Sequence, residues 1–179
     1  MAAPSRTSDD LRLLEEFVNS HSIHSGRDAL AEAPRAIAWM RELGFETRDP
    51  DPHELARVRE VREALRSLLL ANNGGEADPE AVAVLDAAAR AAPLRVAFAP
   101  DGSAGLEPAG DGAGALIGRV LAAVQRAHAD GSWPRLKACA AHDCLWAFVD
   151  GSRNRSRTWC DMAACGNRAK ARSYRARSR

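Results

Sequence analysis

The sequence predicts a mainly α protein with one small β-hairpin, ending in a short module organised by four cysteines. Three observations carry that reading. Apolar residues recur at helical spacing through most of the first 130 residues. One stretch, LRVAFAPDGSAGLEPAG, alternates like two strands around Pro100-Asp101-Gly102. All four cysteines, Cys139, Cys144, Cys160 and Cys165, fall in the last 45 residues.

Each element follows from local signals. Thr7 followed by Asp10 reads as a capping box before a first helix with Leu11, Leu14, Phe17 and Val18 on one face. A second helix starts near Pro34, carries Ala36, Trp39, Met40 and Leu43 as a stripe, and stops at Gly44. A third opens at Asp51-Pro52 with Glu54 in its first turn. It continues through Leu55, Val58, Val61 or Arg62, Leu65, Leu68 and Leu69, and ends at NNGG. The fourth repeats the Asp-Pro start at Asp78-Pro79 and runs through Val82, Leu85 and Ala89. After the hairpin, a helix over residues 113–130 presents Ile117, Val120, Leu121 and Val124, and Gly131 closes it. DGSWP then marks a joint between a helical domain, residues 1–132, and the C-terminal module, residues 133–179.

Two short polar stretches in the helical part have alternative readings. GDGAGA, residues 110–115, fits the glycine pattern of a dinucleotide turn, but that turn needs a parallel βαβ unit around it. Without that context it reads as a loop before a helix. NSHSIHSGRD groups Asn19, His21, His24 and Asp28, which either cap neighbouring helices or, with Trp39, line a pocket for a small polar or anionic ligand. No nucleophile elbow, Walker loop or zinc-protease helix is present, so the chain is expected not to be an enzyme.

Composition narrows the class further. Apolar residues at 46% and charged residues at 27% suit a soluble protein with a core. No apolar run approaches the roughly 20 residues of a membrane span, and MAAPSRTSDD lacks the apolar centre of a secretion signal. The expected location is the cytoplasm, where thiols stay reduced and clustered cysteines are metal ligands sooner than disulfides.

The cysteines form C-x4-C, fifteen intervening residues, then C-x4-C. Two short-range pairs supply the four soft ligands of a structural zinc site, leaving no position for catalytic water. Positions five apart on a regular helix diverge by about 140°, so each pair must straddle an element boundary. Cys160 is expected before the last helix, Cys165 in its opening turn, and the first pair in a loop leading into the strand LWAFVD. Trp146, Phe148 and Trp159 would form a local core too small to fold about 45 residues without a metal. An iron–sulfur cluster or plain buried thiols are the competing readings, and His142 is a competing ligand.

SRNRSRTWCDMAACGNRAKAR resembles the CGNR zinc finger, named for the residues standing here as Cys165, Gly166, Asn167 and Arg168. The resemblance covers the last 45 residues or so, including both cysteine pairs. The helical part, with FVNSH early and the hairpin late, resembles the ABATE domain that usually precedes this finger. That family is regarded as bacterial stress-response transcription regulators, so the resemblance implies a DNA-binding regulator with no established ligand.

Charge points the same way. From Arg135 onward eleven Lys and Arg face three acids, a net +8, against −7 for the rest. Four thiolates and one Zn²⁺ carry −2, which some arginines, Arg157 or Arg168, are placed to neutralise. Arg168, Arg172 and Arg175 share one helical face, with Lys170 and Arg177 extending it. The expected contacts are phosphates for Arg153, Arg155 and Arg157, and a major groove for a helix bearing Asn167, Arg168, Lys170, Arg172 and Arg175. The expected assembly is a homodimer on duplex DNA with one structural Zn²⁺ per chain and no membrane partner. The alternatives are an RNA- or ribosome-binding zinc module, and a small-molecule-binding or enzymatic helical domain with an accessory finger.

Overall fold

The computed structural model describes residues 6–45, 49–92 and 94–177. Six helices are α1 (Arg6–Asn19), α2 (Ala33–Glu42), α3 (Pro52–Ala71), α4 (Pro79–Ala91), α5 (Gly112–Ala129) and α6 (Asn167–Arg177). Three two-stranded antiparallel ribbons accompany them: β1 (His21–Ser22) with β2 (Arg27–Asp28), β3 (Leu94–Phe98) with β4 (Ala104–Pro108), and β5 (Leu136–Ala138) with β6 (Ala147–Val149). The fold is mainly α, as the sequence indicates. Among the described residues no helix is long and apolar enough to cross a membrane.

The helix starts are chemically explicit. Asp51 accepts hydrogen bonds from the His53 and Glu54 amides while the Glu54 carboxylate accepts from the Asp51 amide, a complete capping box. Asp78 caps α4 through the Glu80 amide. Gly44, at φ 79°, ends α2 in the left-handed region.

The expected Thr7–Asp10 box does not form. Thr7 lies inside α1 and its Oγ1 donates to Asp130 Oδ2 at 2.8 Å, while Asp10 receives two donors from Arg126 at 2.6 and 2.7 Å. Partners on α5 and at its C-terminal cap outcompete local capping. The face of α4 also differs from expectation. Ala81 is buried and Leu85 and Ala88 pack on the core, whereas Val82 is 47% exposed and Ala89 is exposed. With alanine or valine on most sides, α4 has little amphipathic contrast, and the surface of α3 selects which side it buries.

One continuous core joins Leu14, Phe17 and Val18 of α1, Met40 of α2, Val58, Leu65 and Leu69 of α3, and Leu116 and Val120 of α5. It does not stop at the predicted joint. Trp133, Leu136, Ala138 and Ala147 belong to the same cluster, so the ribbon β5–β6 is built onto the helices. The hairpin β3–β4 pairs Leu94 with Pro108 and Phe98 with Ala104 and lies against α5. Because these strands are antiparallel, GDGAGA is not a dinucleotide turn: Gly110 and Asp111 form the short connection and residues 112–115 are already the first turn of α5.

Candidate metal centre and nucleic-acid interface

β5 and β6 form the rungs of a short ribbon whose tip carries the first cysteine pair. Cys139 follows β5 directly, and its amide donates to Trp146 O at 2.9 Å. Cys144 sits in the turn, closed by its amide bonding Ala141 O at 2.8 Å. Cys160 precedes a single wide π turn, Met162–Gly166, which contains Cys165 and runs into α6. The wide turn answers the divergence problem: it lets Cys160 and Cys165 converge where a regular helix would separate them. The sequence placed both second-pair cysteines correctly and missed β5, a strand of only three residues.

The four Sγ atoms lie within 4.8 Å of one another, with Cys144–Cys160 at 3.6 Å and Cys160–Cys165 at 3.8 Å. Tetrahedral zinc with Zn–S bonds near 2.3 Å requires S–S edges of about 3.8 Å. The two short edges match that value and all four donors lie within reach of one zinc ion. Burial first, then its cysteine neighbours, pushes the Cys165 thiol up to about 11, and the same causes raise Cys160. Burial also opposes ionisation of Cys139, but the Cys160 and Ala141 amides outweigh it and hold its value lower. Four thiols so close cannot all ionise unless a cation compensates them, which is what a bound zinc supplies. His142 is exposed and outside the set. The four cysteines hold one structural zinc ion.

Cys139, Ala141, Phe148 and Cys165 make a small core, completed by Cys144, Trp159 and Cys160. Trp146, expected beside Phe148, is 38% exposed instead. Leu145 takes a left-handed conformation (φ 51°), which breaks the alternation and swings Trp146 away. Gly166 leaves room for two neighbours: a Cβ there would overlap the Sδ of exposed Met162, which would have to move, and meet Trp159 Cδ1 at 3.2 Å.

Residues of the helical part clamp the ribbon. Asn73 Nδ2 donates to Ala138 O and Thr158 O, both at 2.8 Å. Asn72 Nδ2 donates to Trp133 O and Leu136 O at 3.0 and 2.9 Å. Arg66, only 3% exposed, donates to Leu145 O at 2.9 Å and to Val18 O at 2.7 Å. These roles were not legible in sequence, because NNGG reads first as a helix end and a buried arginine breaks the apolar pattern.

The basic residues divide into two groups. Arg135 donates to the Asp150 and Ser152 carbonyls, and Lys137 pairs with buried Asp150 at 2.9 Å. Arg157 lies over the Phe148 ring at 4.8 Å and donates to Cys160 O at 2.7 Å. Arg168 donates to Cys165 Sγ at 3.3 Å and approaches Asp143 at 3.7 Å. All four make contacts within the module, which for Arg157 and Arg168 is the neutralising and structural role that the sequence offers beside a nucleic-acid contact. Arg153, Arg155, Asn167, Lys170, Arg172 and Arg175 are exposed. The side chain of Arg177 falls outside the described residues. Among the described side chains of α6 none is buried, and Lys170, Arg172 and Arg175 are open beside the zinc knuckle.

The predicted pocket residues divide into two sets. Asn19 exchanges hydrogen bonds with Ala147, Asp28 receives both Arg62 amine groups at 2.6 and 2.9 Å, and Trp39 packs on Phe17. These three also line a cleft. His21 turns to Glu63 at 3.3 Å, and His24 lies exposed in the β1–β2 turn.

Two family models match the chain. The CGNR zinc finger covers residues 135–178, and ABATE, described as a putative stress-induced transcription regulator, covers residues 11–149, well over half of the chain. The ABATE match runs through Cys139 and Cys144, in line with the core that extends into the ribbon. No curated protein matches the chain.

Proposed function

Since this chain belongs to the ABATE family and ends in a CGNR zinc finger, we propose that it is a transcription regulator that binds duplex DNA through α6. The single observation that supports this most is the exposed basic surface: Lys170, Arg172 and Arg175 are exposed on a helix that runs directly out of the zinc-stabilised turn. A polar helix held rigidly at one end suits a major groove, and Arg153 and Arg155 beside it suit the flanking phosphates. One module covers too few base pairs for selectivity, so the chain works as a homodimer on a two-fold related site in the cytoplasm. It acts by binding, not by catalysis, and a small ligand in the helical part biases the finger.

Binding of zinc-loaded full-length protein to duplex DNA and to structured RNA tests this. Arg172→Ala and Arg175→Ala should each weaken DNA binding several-fold with unchanged folding. Arg157→Ala should act on stability of the zinc module. Tight RNA binding with no response to duplex DNA would replace the proposal by the RNA reading.

A further inference from the structure

A cleft of about 680 Å³ opens between α1, the β1–β2 ribbon, α2 and the residue following the cysteine turn, Trp146. That volume lies in the range of sites for compact organic ligands. Two indoles face it, Trp39 from α2 and Trp146 from the zinc ribbon. Trp39 is backed by Phe17, with ring centroids 6.3 Å apart.

Trp146 is a large apolar side chain left 38% exposed, and the backbone that presents it is firmly held. Leu145 before it sits at φ 51°, a conformation that leucine adopts only where its surroundings impose it. Arg66 grips the Leu145 carbonyl at 2.9 Å, and Asn19 grips Ala147 on the other side at 2.8 and 2.9 Å. An aromatic ring is thus aimed into a cleft by strain and by three side-chain hydrogen bonds, although its burial in the small core beside Phe148 was available to an alternating strand.

The charges in the cleft have a sign. Glu16 is paired with Arg12 and Asp28 with Arg62, so Arg27 and Arg35 outnumber the one remaining acidic lining residue, Glu42. Stacking surfaces with an excess cation select a flat molecule with an acidic group.

We propose that this cleft binds a planar aromatic or heteroaromatic molecule carrying one acidic group, with its ring against Trp39 and Trp146 and its anion toward Arg27 and Arg35. The inference deepens the ligand-responsive part of the regulator reading and rests on that reading only for its consequence. Trp146 lies two residues from Cys144, so an occupant touches the helical part and the zinc ribbon together.

Calorimetric titration of the zinc-loaded full chain, without DNA, tests the site. The probe is 1-naphthoate, with cyclohexanecarboxylate as an anion without a flat ring and naphthalene-1-carboxamide as a flat ring without charge. The naphthoate should bind saturably, and each control about tenfold more weakly. Trp146→Leu and Arg35→Gln, both at exposed side chains, should each weaken naphthoate about tenfold while zinc content and helicity stay unchanged. Absence of saturable naphthoate binding, equal affinity for all three probes, or unchanged affinity in both variants would overturn the proposal. Because DNA is absent, naphthoate binding by a protein that ignores DNA would sink the regulator reading alone.

Discussion

Asn19, the last residue of α1, exchanges two hydrogen bonds with the backbone of Ala147 in β6: its Nδ2 donates to the Ala147 carbonyl at 2.9 Å, and its Oδ1 accepts from the Ala147 amide at 2.8 Å. The side-chain amide imitates a neighbouring strand, so the edge of the zinc ribbon is paired to the helical core. Asn19→Ala leaves both backbone groups without that partner and should cost about 2 kcal/mol. Asn19→Asp keeps the acceptor, loses the donor and sets a carboxylate against the Ala147 carbonyl, so it should not restore stability. Urea denaturation measures both, and a loss below about 0.5 kcal/mol for either would contradict the clamp.

A second anchor is the ion pair between Lys137 and Asp150, both buried and 2.9 Å apart. Asp150 also accepts from the Ser152 and Arg157 amides and from Ser152 Oγ. Burial opposes its charge, but the Ser152 and Lys137 donors win and hold the carboxyl well below the usual carboxylate range. Its folded value is therefore depressed relative to the unfolded chain. The resulting stability is fully present above about pH 4 and is lost only as pH falls through the folded value. Asp150→Asn should cost about 3 kcal/mol near neutral pH, because Lys137 is left buried without its counter-ion. Denaturation at neutral pH checks this, and a cost under about 1 kcal/mol would show that the pair contributes little.

Zinc removal should divide the C-terminal segment. The knuckle around Cys139, Cys144, Cys160 and Cys165 has only a small core of its own, so metal binding and local folding are coupled there. Leu136, Ala138 and Ala147, by contrast, belong to the helical core. After chelation, hydrogen exchange should accelerate at the Cys144 and Cys165 amides and along α6. The paired backbone of β5 and β6 should stay protected to a greater degree. Cys165→Ser should reproduce the pattern with α1, α3 and α5 intact. Uniform loss of protection through all helices would mean that zinc holds the whole fold.

What the sequence made legible follows from which signals are local. Asp51 and Asp78 mark helix starts because caps act within one turn, and Leu14, Phe17, Leu65 and Leu69 mark buried faces because periodicity is local too. The zinc ligands were legible from spacing alone. The ribbon β5–β6 was half visible, since three-residue strands carry almost no alternation. Arg66, Asn72 and Asn73 were invisible as clamps because their partners lie between 45 and 85 residues away. Trp146 was misplaced because alternation gives no warning of a left-handed leucine before it. For Arg157 and Arg168 the sequence offered both a neutralising role and a nucleic-acid contact, because it cannot separate a cation that faces Phe148 or Cys165 from one that faces solvent.

The central claim is that free positive charge on α6 and the Arg153–Arg155 segment grips duplex DNA, and the salt dependence of binding tests it most directly. Arg153, Arg155, Lys170, Arg172 and Arg175 remain exposed after the internal pairs are assigned. If all five meet phosphates, log K against log salt should fall with a slope of about −4.5. Arg172→Ala should flatten that slope by about one, whereas Arg157→Ala should leave it nearly unchanged in protein that stays folded and zinc-loaded. Fluorescence anisotropy of zinc-loaded, full-length protein on duplex DNA across a salt series gives both quantities. A steep slope that flattens with Arg172→Ala supports the account, and a flat slope or no binding at low salt contradicts it.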